Sequence, residues 1–588
     1  MQSQKISLFV LSFFCIASAG AVSTSSCRAL PGDHSWPSAT EWNSLNHTVD
    51  GRLIATVPIG SPCHDPHYNP TECAYVKANL DNPSLHYNTS SSVLTPYFAI
   101  LGNQSCNPYS PQSSPCFMGN YVSYAVNVSK SEDVIAAIKF AKTHNIRFVI
   151  RNTGHDYLGK STGAGALAVW THHLKNISFS HWSSDHYTGK AMTIGAGVQV
   201  FEALEATHAE GLVTVGGACP SVGLAGGYTQ GGGHSPISSN FGMAADQTLS
   251  WEVVTASGEV VTASRTENTD LYWALSGGGG GTYGVVLSLT VRAYPGAIFS
   301  GASLVFSRSG GNTNNETFWA GVEAFHSHLP AIVDAGVWVL YMLSSTAFRI
   351  KTLSAYNKTQ DDVQALLGDF TSTLTTLGIK YEVAYTEHPS YIDHYDRYFG
   401  PLPYGLDNEA NGAGTIYTAG SRLIPRSVIR ENNKAYVAVL RNITDSGLPY
   451  TGLALNVSSP HITSTADNAL LPAWRDTLLV AFMTTKWNYT ASLSDMVADQ
   501  LQIVNDILPQ FEALTPGGAA YMNEDTFRQT NWQHTFFGKK YSKLLGIKNK
   551  WDPDHLFYAT TAVGSEAWSV AENGRMCRTG NTTSVPVV

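Results

Sequence analysis

Residues 215–235 read VGGACPSVGLAGGYTQGGGHS, and eight of these twenty-one positions are glycine. Glycine permits positive φ and carries no side chain to block an approaching group. A run this dense therefore predicts backbone brought close to a large planar or anionic ligand. Cys219 stands inside the run, more than a hundred residues from any other cysteine. Two readings stay open for it on spacing alone: a small buried thiol that packs, and a thiol held for chemistry.

Outward from this run the pattern is regular. YVSYAVNV (121–128) predicts a strand, and SKSEDVIAAIKFAKTHN (129–145) predicts a helix with Ser131 as N-cap and Ile135 and Ile138 on one face. IRFVI (146–150) predicts a buried strand. This β-α-β unit runs into RNTGHDYLGKSTGAGALAVW (151–170), which ends in another strand. MTIGAGVQVFEALEATHAEG (192–211) reads as strand then helix, and DQTLSWEVVTASGEVVTAS (246–264) as a hairpin turned at Ser257-Gly258. DLYWALSGGGGGTYGVVLSLTVRAYP (270–295) closes the region with a long strand. Beyond it glycine thins out, and helices such as TQDDVQALLGDFTSTLTTLG alternate with strands such as GVWVLYML, which predicts a second α+β domain with helices on one face of a sheet.

One motif here misleads. Gly154-His155-Asp156-Tyr157-Leu158-Gly159-Lys160-Ser161 fits the G-x-x-x-x-G-K-S phosphate loop in form. Such a loop must open a helix whose N–H groups cradle phosphate, and the following residues are glycine-broken and strand-like. Nucleotide triphosphate binding is rejected on that ground.

The chain has 588 residues, enough for two to four domains, with only 13% charged residues and a net charge of −9. Opposite signs are interspersed, so no basic footprint for nucleic acid or anionic membrane is present. Residues 1–21 carry Lys5, an apolar run from Ile6 to Ile16 and small residues up to Ala21, which reads as a secretory signal peptide. The run is too short for about 30 Å of hydrocarbon. Eleven Asn-x-Ser/Thr sequons, at Asn46, Asn88, Asn103, Asn127, Asn176, Asn315, Asn357, Asn442, Asn456, Asn488 and Asn581, agree with an extracellular, N-glycosylated chain. Seven cysteines remain after the leader, so all cannot pair within one chain; Cys63–Cys73 and Cys106–Cys116 are pairings suggested by proximity. His172-His173 lacks the companions of a metal site and reads as a solvated pair, and His234 as a turn histidine.

The order β-α-β, then R-N-T-G-H-D, then G-A-C-P-S-V-G-L-A-G-G-Y-T-Q-G-G-G, then D-L-Y-W-A-L-S-G-G-G-G-G-T-Y-G-V-V resembles the berberine bridge enzyme-like branch of the vanillyl-alcohol oxidase flavoproteins. It is also similar to the secreted fungal isoamyl alcohol oxidase-like proteins. The resemblance covers about 118–296 and, more weakly, 517–560. It implies FAD bonded covalently to His155 and Cys219, with Arg151, Asn152, Thr153, Gly154 and Asp156 along the pyrophosphate. It implies Val222, three positions after Cys219, as gatekeeper to the oxygen-accessible face, Gly223 beside it as a further cofactor-binding residue, and Gly227 as the small residue that leaves an oxygen pocket open. Relatives place a catalytic tyrosine at the end of a Y-x-N-Y segment. This chain departs from that pattern, reading Tyr521-Met522-Asn523-Glu524, so Glu524 takes the position and Tyr521 is the reserve base.

The expected fold is α+β: a PCMH-type FAD-binding domain of two α/β subdomains plus an α+β substrate domain. The expected organisation is signal peptide 1–21, disulfide-tied segment 22–117, FAD domain 118–296, substrate domain 297–505, a segment 506–575 that completes the FAD domain, and a tail 576–588. The expected function is a secreted oxidase passing hydride from an alcohol or similar C–H donor to flavin, with O2 as acceptor and H2O2 as product. Its expected partners are a small-molecule substrate and O2, with no metal. A secondary-metabolite tailoring oxidoreductase or oxidative cyclase, and a catalytically idle flavin-fold glycoprotein, are the alternatives.

Overall fold

The computed structural model describes residues 27–94, 106–308, 314–403, 417–459, 461–462 and 467–579. The signal-peptide reading and the sequons at Asn103 and Asn581 lie outside the described residues.

Four short strands form the first sheet, in the order Leu53–Ala55, Tyr124–Asn127, Leu167–Trp170, Phe148–Arg151. The last three are parallel, as a β-α-β crossover requires. The crossover helix Ser131–Thr143 buries Val134, Ala137, Ile138 and Ala141, the i, i+3, i+4, i+7 face, with Ile135 at its edge. Its N-cap is Lys130 rather than Ser131. The Asp133 carboxylate, three positions into the helix, accepts from the N–H of Ser129 at 2.9 Å and of Lys130 at 3.2 Å, and so fixes the start one residue earlier.

The second sheet is antiparallel, in the order Ile177–Ser184, Tyr187–Gly195, Val285–Arg292, Thr248–Val254, Val260–Ser264. The Ser257-Gly258 hairpin is its edge, and Gly258 adopts φ +87° there. The third sheet has seven antiparallel strands between Phe299 and Lys486. Helices Asn315–Asp334, Gln360–Thr376 and Arg426–Asp445 pack their apolar stripes on one of its faces. Its other face, carrying Trp338, Leu340, Leu423, Leu453 and Val480, joins the core that contains the glycine-rich loops. The large sheet thus packs on the same core as the glycine-rich loops.

The C-terminal segment returns to the first sheet. Phe557 pairs with Phe148, and Lys548, fully buried, donates to the carbonyls of Thr282 and Phe557 at 2.7 Å each and to Asp552. Disulfides join Cys63–Cys73, Cys106–Cys116 and Cys27–Cys577, and Cys219 is the free thiol among the described residues. Both proximity pairings are present. No helix among the described residues is long and apolar enough to cross a membrane.

Candidate active site

A cleft is walled by the loops 152–161, 222–230 and 280–286 and by Tyr521, Asn523 and Glu524. Strand alternation decides which loop residues reach it. Ile150 and Asn152 line the cleft, while Arg151 between them points to the other side of the sheet. There the Arg151 guanidinium is buried and donates to the carbonyls of His86 at 2.9 Å, Thr89 at 2.8 Å and Ser92. Arg151 therefore anchors the 86–92 segment and does not line the ligand cleft, contrary to the expectation that it meets the pyrophosphate. Asp156 lines the cleft, but its carboxylate is spent on the loop itself, accepting from the N–H of Leu158, Lys160 and Ser161 at 2.9, 2.9 and 3.0 Å. Those N–H groups are the ones a phosphate loop would offer, so the apparent triphosphate motif is internally satisfied.

Thr153, Gly154 and His155 line the cleft. Gly154 has φ +78°, and a Cβ there would press on Ser92 O and the Arg151 guanidinium. The His155 ring is held at both nitrogens, Nδ1 by Thr153 Oγ1 and Nε2 by Ser221 Oγ, each at 2.8 Å. Burial pushes its pKa down to about 3, with His86 and Arg151 adding to the effect, so the imidazole is neutral at ordinary pH. Cys219 Sγ lies 3.6 Å from the same Ser221 hydroxyl. Burial raises the Cys219 thiol pKa, against hydrogen bonds from Ser221 and Val222. The sequence reading paired His155 with Cys219 and missed Ser221, the hydroxyl between them. Gln199 Nε2 donates to Ser221 O at 2.6 Å and fixes this turn.

Val222, Gly223 and Gly227 all line the cleft. A Cβ on Gly223 would collide with the Asn152 amide, whereas one on Gly227 would meet nothing within 4 Å. The wall at Gly227 is open space toward the cleft. Opposite, Tyr521 is buried and its Oη accepts from Gly233 N–H at 3.2 Å and Asn523 Nδ2 at 2.9 Å. Burial drives its pKa well above the ordinary phenol value. Glu524 Oε1 lies 3.0 Å from His234 Nε2, and Glu524 Oε2 is buried without a partner among the described residues. Lys160, also lining the cleft, donates to Met522 O at 3.1 Å, and burial lowers its ammonium pKa to about 8. His172 is not solvated as expected: it is buried against Tyr87 and Trp170, and no metal-holding cluster occurs among the described residues.

Beside Glu524, the Asp525 carboxyl is buried, accepts from Ser421 N–H at 2.9 Å, and is pushed up to about 7 by that burial. Between its ordinary value and 7 the folded chain keeps a proton that the unfolded chain releases, so stability falls as pH rises through this window. Asp525→Asn keeps the acceptor without the charge. Thermal denaturation is expected to find the variant equal to wild type near pH 4 and more stable at about pH 8, by on the order of 4 kcal/mol at most.

The cleft also tests whether a flavin dinucleotide fits. Its walls are largely glycine and apolar side chains, and the buried acceptors Asn152 Oδ1 and Gln230 Oε1 lack protein partners among the described residues. That is the lining of a site for a planar ligand with a few polar edges.

Comparison with known proteins agrees. Residues 122–264 match the FAD binding domain family and residues 520–564 the berberine and berberine-like family. The crystal structure of the VAO-type flavoprotein MtVAO615 from Myceliophthora thermophila C1 superposes with a TM-score of 0.90 at 42% identity, covering 94% of this chain and all of that one. The chain belongs to the berberine bridge enzyme-like, VAO-type flavoproteins. The FAD-linked oxidoreductase ZEB1 of Gibberella zeae is 50% identical over 94% of this chain and 95% of its own. A glucooligosaccharide oxidase from Acremonium strictum, described with a 6-S-cysteinyl, 8α-N1-histidyl FAD, shares the fold at 19% identity, with a TM-score of 0.62 over 76% of this chain and 92% of its own. This VAO-type protein is thus an FAD-linked oxidoreductase, and the cleft described above is where its FAD-binding loops meet its C-terminal berberine-like segment.

Proposed function

We propose that this VAO-type protein is a secreted oxidase that accepts hydride from an alcohol or comparable C–H donor and uses O2, on an FAD bonded to both His155 and Cys219. The observation that carries it is the convergence of His155 Nε2 and Cys219 Sγ on the Ser221 hydroxyl, with His155 and Val222 lining the cleft that Glu524 also lines. A neutral imidazole keeps a lone pair for bond formation, and a thiol beside a hydroxyl and two N–H donors has its anion partly stabilised. The FAD, when bound, supplies the two-electron acceptor and passes those electrons to O2 as H2O2.

The chain supplies the base. Tyr521 is unsuited to that role: both lone-pair directions of its oxygen receive donors, and burial keeps its proton on. Its hydroxyl orients the substrate oxygen. Glu524 has an oxygen with no partner and takes the substrate proton. Asn152, Thr153, Gly154, Val222 and Gly223 wall the flavin side, and residues 297–505 supply the substrate roof. The three disulfides and the exposed sequons at Asn88, Asn176, Asn357, Asn442 and Asn488 suit an oxidising, extracellular setting. Asn456 is buried and donates to Asp334 at 2.7 Å, so that sequon carries no glycan in the folded chain.

The test is a panel of alcohols added anaerobically to the purified holoprotein. Substrate-dependent bleaching of the flavin band, and peroxide on readmitting air, is the expected result; no bleaching with any donor sinks the oxidase reading. Gly227→Val fills the open wall. It is expected to leave anaerobic bleaching intact and slow reoxidation by O2 by on the order of tenfold, about 1.4 kcal/mol on that barrier.

A further inference from the structure

His234 sits in the turn Gly231-Gly232-Gly233-His234, 290 positions from Glu524 in sequence, and does not line the cleft. Three contacts fix it. Its carbonyl accepts from Tyr228 Oη at 2.8 Å, the preceding Gly233 N–H donates to Tyr521 Oη, and its ring packs against Tyr521 and Trp474 at 5.6 and 6.4 Å. Its side chain is only 7% exposed, and Nδ1 has no partner among the described residues. Nε2 faces Glu524 Oε1 at 3.0 Å.

We propose that His234 is the positioning residue of the base: it donates Nε2–H to Glu524 Oε1, holds the carboxylate in one orientation, and leaves Oε2 as the oxygen that takes the proton. This rests on the reading of Glu524 as the base. An ionised carboxylate can only accept, so a hydrogen lies on Nε2. The step balances simply. The substrate O–H proton moves to Oε2 and Nε2–H stays bonded to Oε1 throughout, while FAD, when bound, would be the acceptor of the C–H hydride. With Oε1 held by this donor, Oε2 is the oxygen left free to accept a proton. The other titratable groups facing the pair are Tyr228 and Tyr521, neutral through burial, and the Cys219 thiol; Lys160 lines the same cleft, and Asp525 adjoins Glu524 in sequence.

The experiment measures the anaerobic rate of flavin reduction in holoenzyme carrying His234→Ala or His234→Gln. His234→Ala is expected to lose about tenfold in rate, because the carboxylate has lost the donor that holds its orientation. His234→Gln, whose amide N–H reaches the same oxygen, is expected to restore most of the rate. A second readout is independent of turnover. The Nε2–H proton resonance, identified by its absence from His234→Gln, is expected to exchange with solvent faster in Glu524→Ala, which removes its acceptor, than in wild type. A His234→Ala rate equal to wild type, or an Nε2–H that exchanges alike in both backgrounds, overturns the positioning role. Full reduction rate in Glu524→Gln would instead remove the base reading beneath it.

Discussion

Glu524→Gln is expected to slow flavin reduction by about a thousand-fold, within the 10²–10⁴ span of general-base removal, while the protein stays folded and yellow. The two side chains have nearly the same shape, and the amide oxygen can still accept from His234 Nε2, so the 3.0 Å contact survives. What disappears is the lone pair on Oε2, buried and without a protein partner, that could accept a proton. Stopped-flow bleaching at saturating donor isolates this step from reoxidation. Tyr521→Phe is the contrasting case. It removes one hydroxyl that receives two donors and retains its own proton, so it is expected to cost nearer tenfold, with Gly233 N–H and the Asn523 amide left short of an acceptor. A reversed ranking would place the departing proton on Tyr521 and not on Glu524.

The parts of this site that the sequence disclosed are those written as local runs. The glycines around Cys219 announce a close backbone approach, and the R-N-T-G-H-D loop follows a strand in a β-α-β unit, so the cleft's walls were legible before the fold was known. The direction of one side chain within such a run was less legible. Arg151 was expected beside its neighbours Asn152 and Thr153, yet it is the odd member of an alternating strand end, and its charge serves three carbonyls of residues 86–92. Contacts between distant segments were not legible at all. His234 and Glu524 meet where Tyr521's hydroxyl and the Asn523 amide tie their segment to the 227–233 loop, and no spacing in the chain encodes that. Ser221 could have been noticed, since a hydroxyl two positions after a reactive cysteine is the nearest available hydrogen-bond partner, but its link to His155 is again tertiary.

His155→Ala combined with Cys219→Ala is expected to abolish acid-stable yellow colour completely, whereas either single variant keeps it through the remaining bond. Mass mapping of the flavin-bearing peptides distinguishes the three cases. The two attachments differ in what each nucleophile needs. With its pKa near 3, His155 already holds a free lone pair throughout the range from about pH 5 to 8, so FAD added to the apoprotein is expected to load this peptide at a rate nearly flat with pH. Cys219 reacts as thiolate, burial has raised its pKa, and loading of its peptide is expected to climb as pH rises over the same range. Ser221→Ala removes the hydroxyl that stabilises the thiolate and braces the imidazole. It is expected to depress Cys219 loading several-fold with a smaller effect at His155, because Thr153 still holds the ring from Nδ1. A flavin mass on His155 alone in wild type would return Cys219 to the role of a packed thiol and leave the Ser221 contact as a turn-stabilising hydrogen bond.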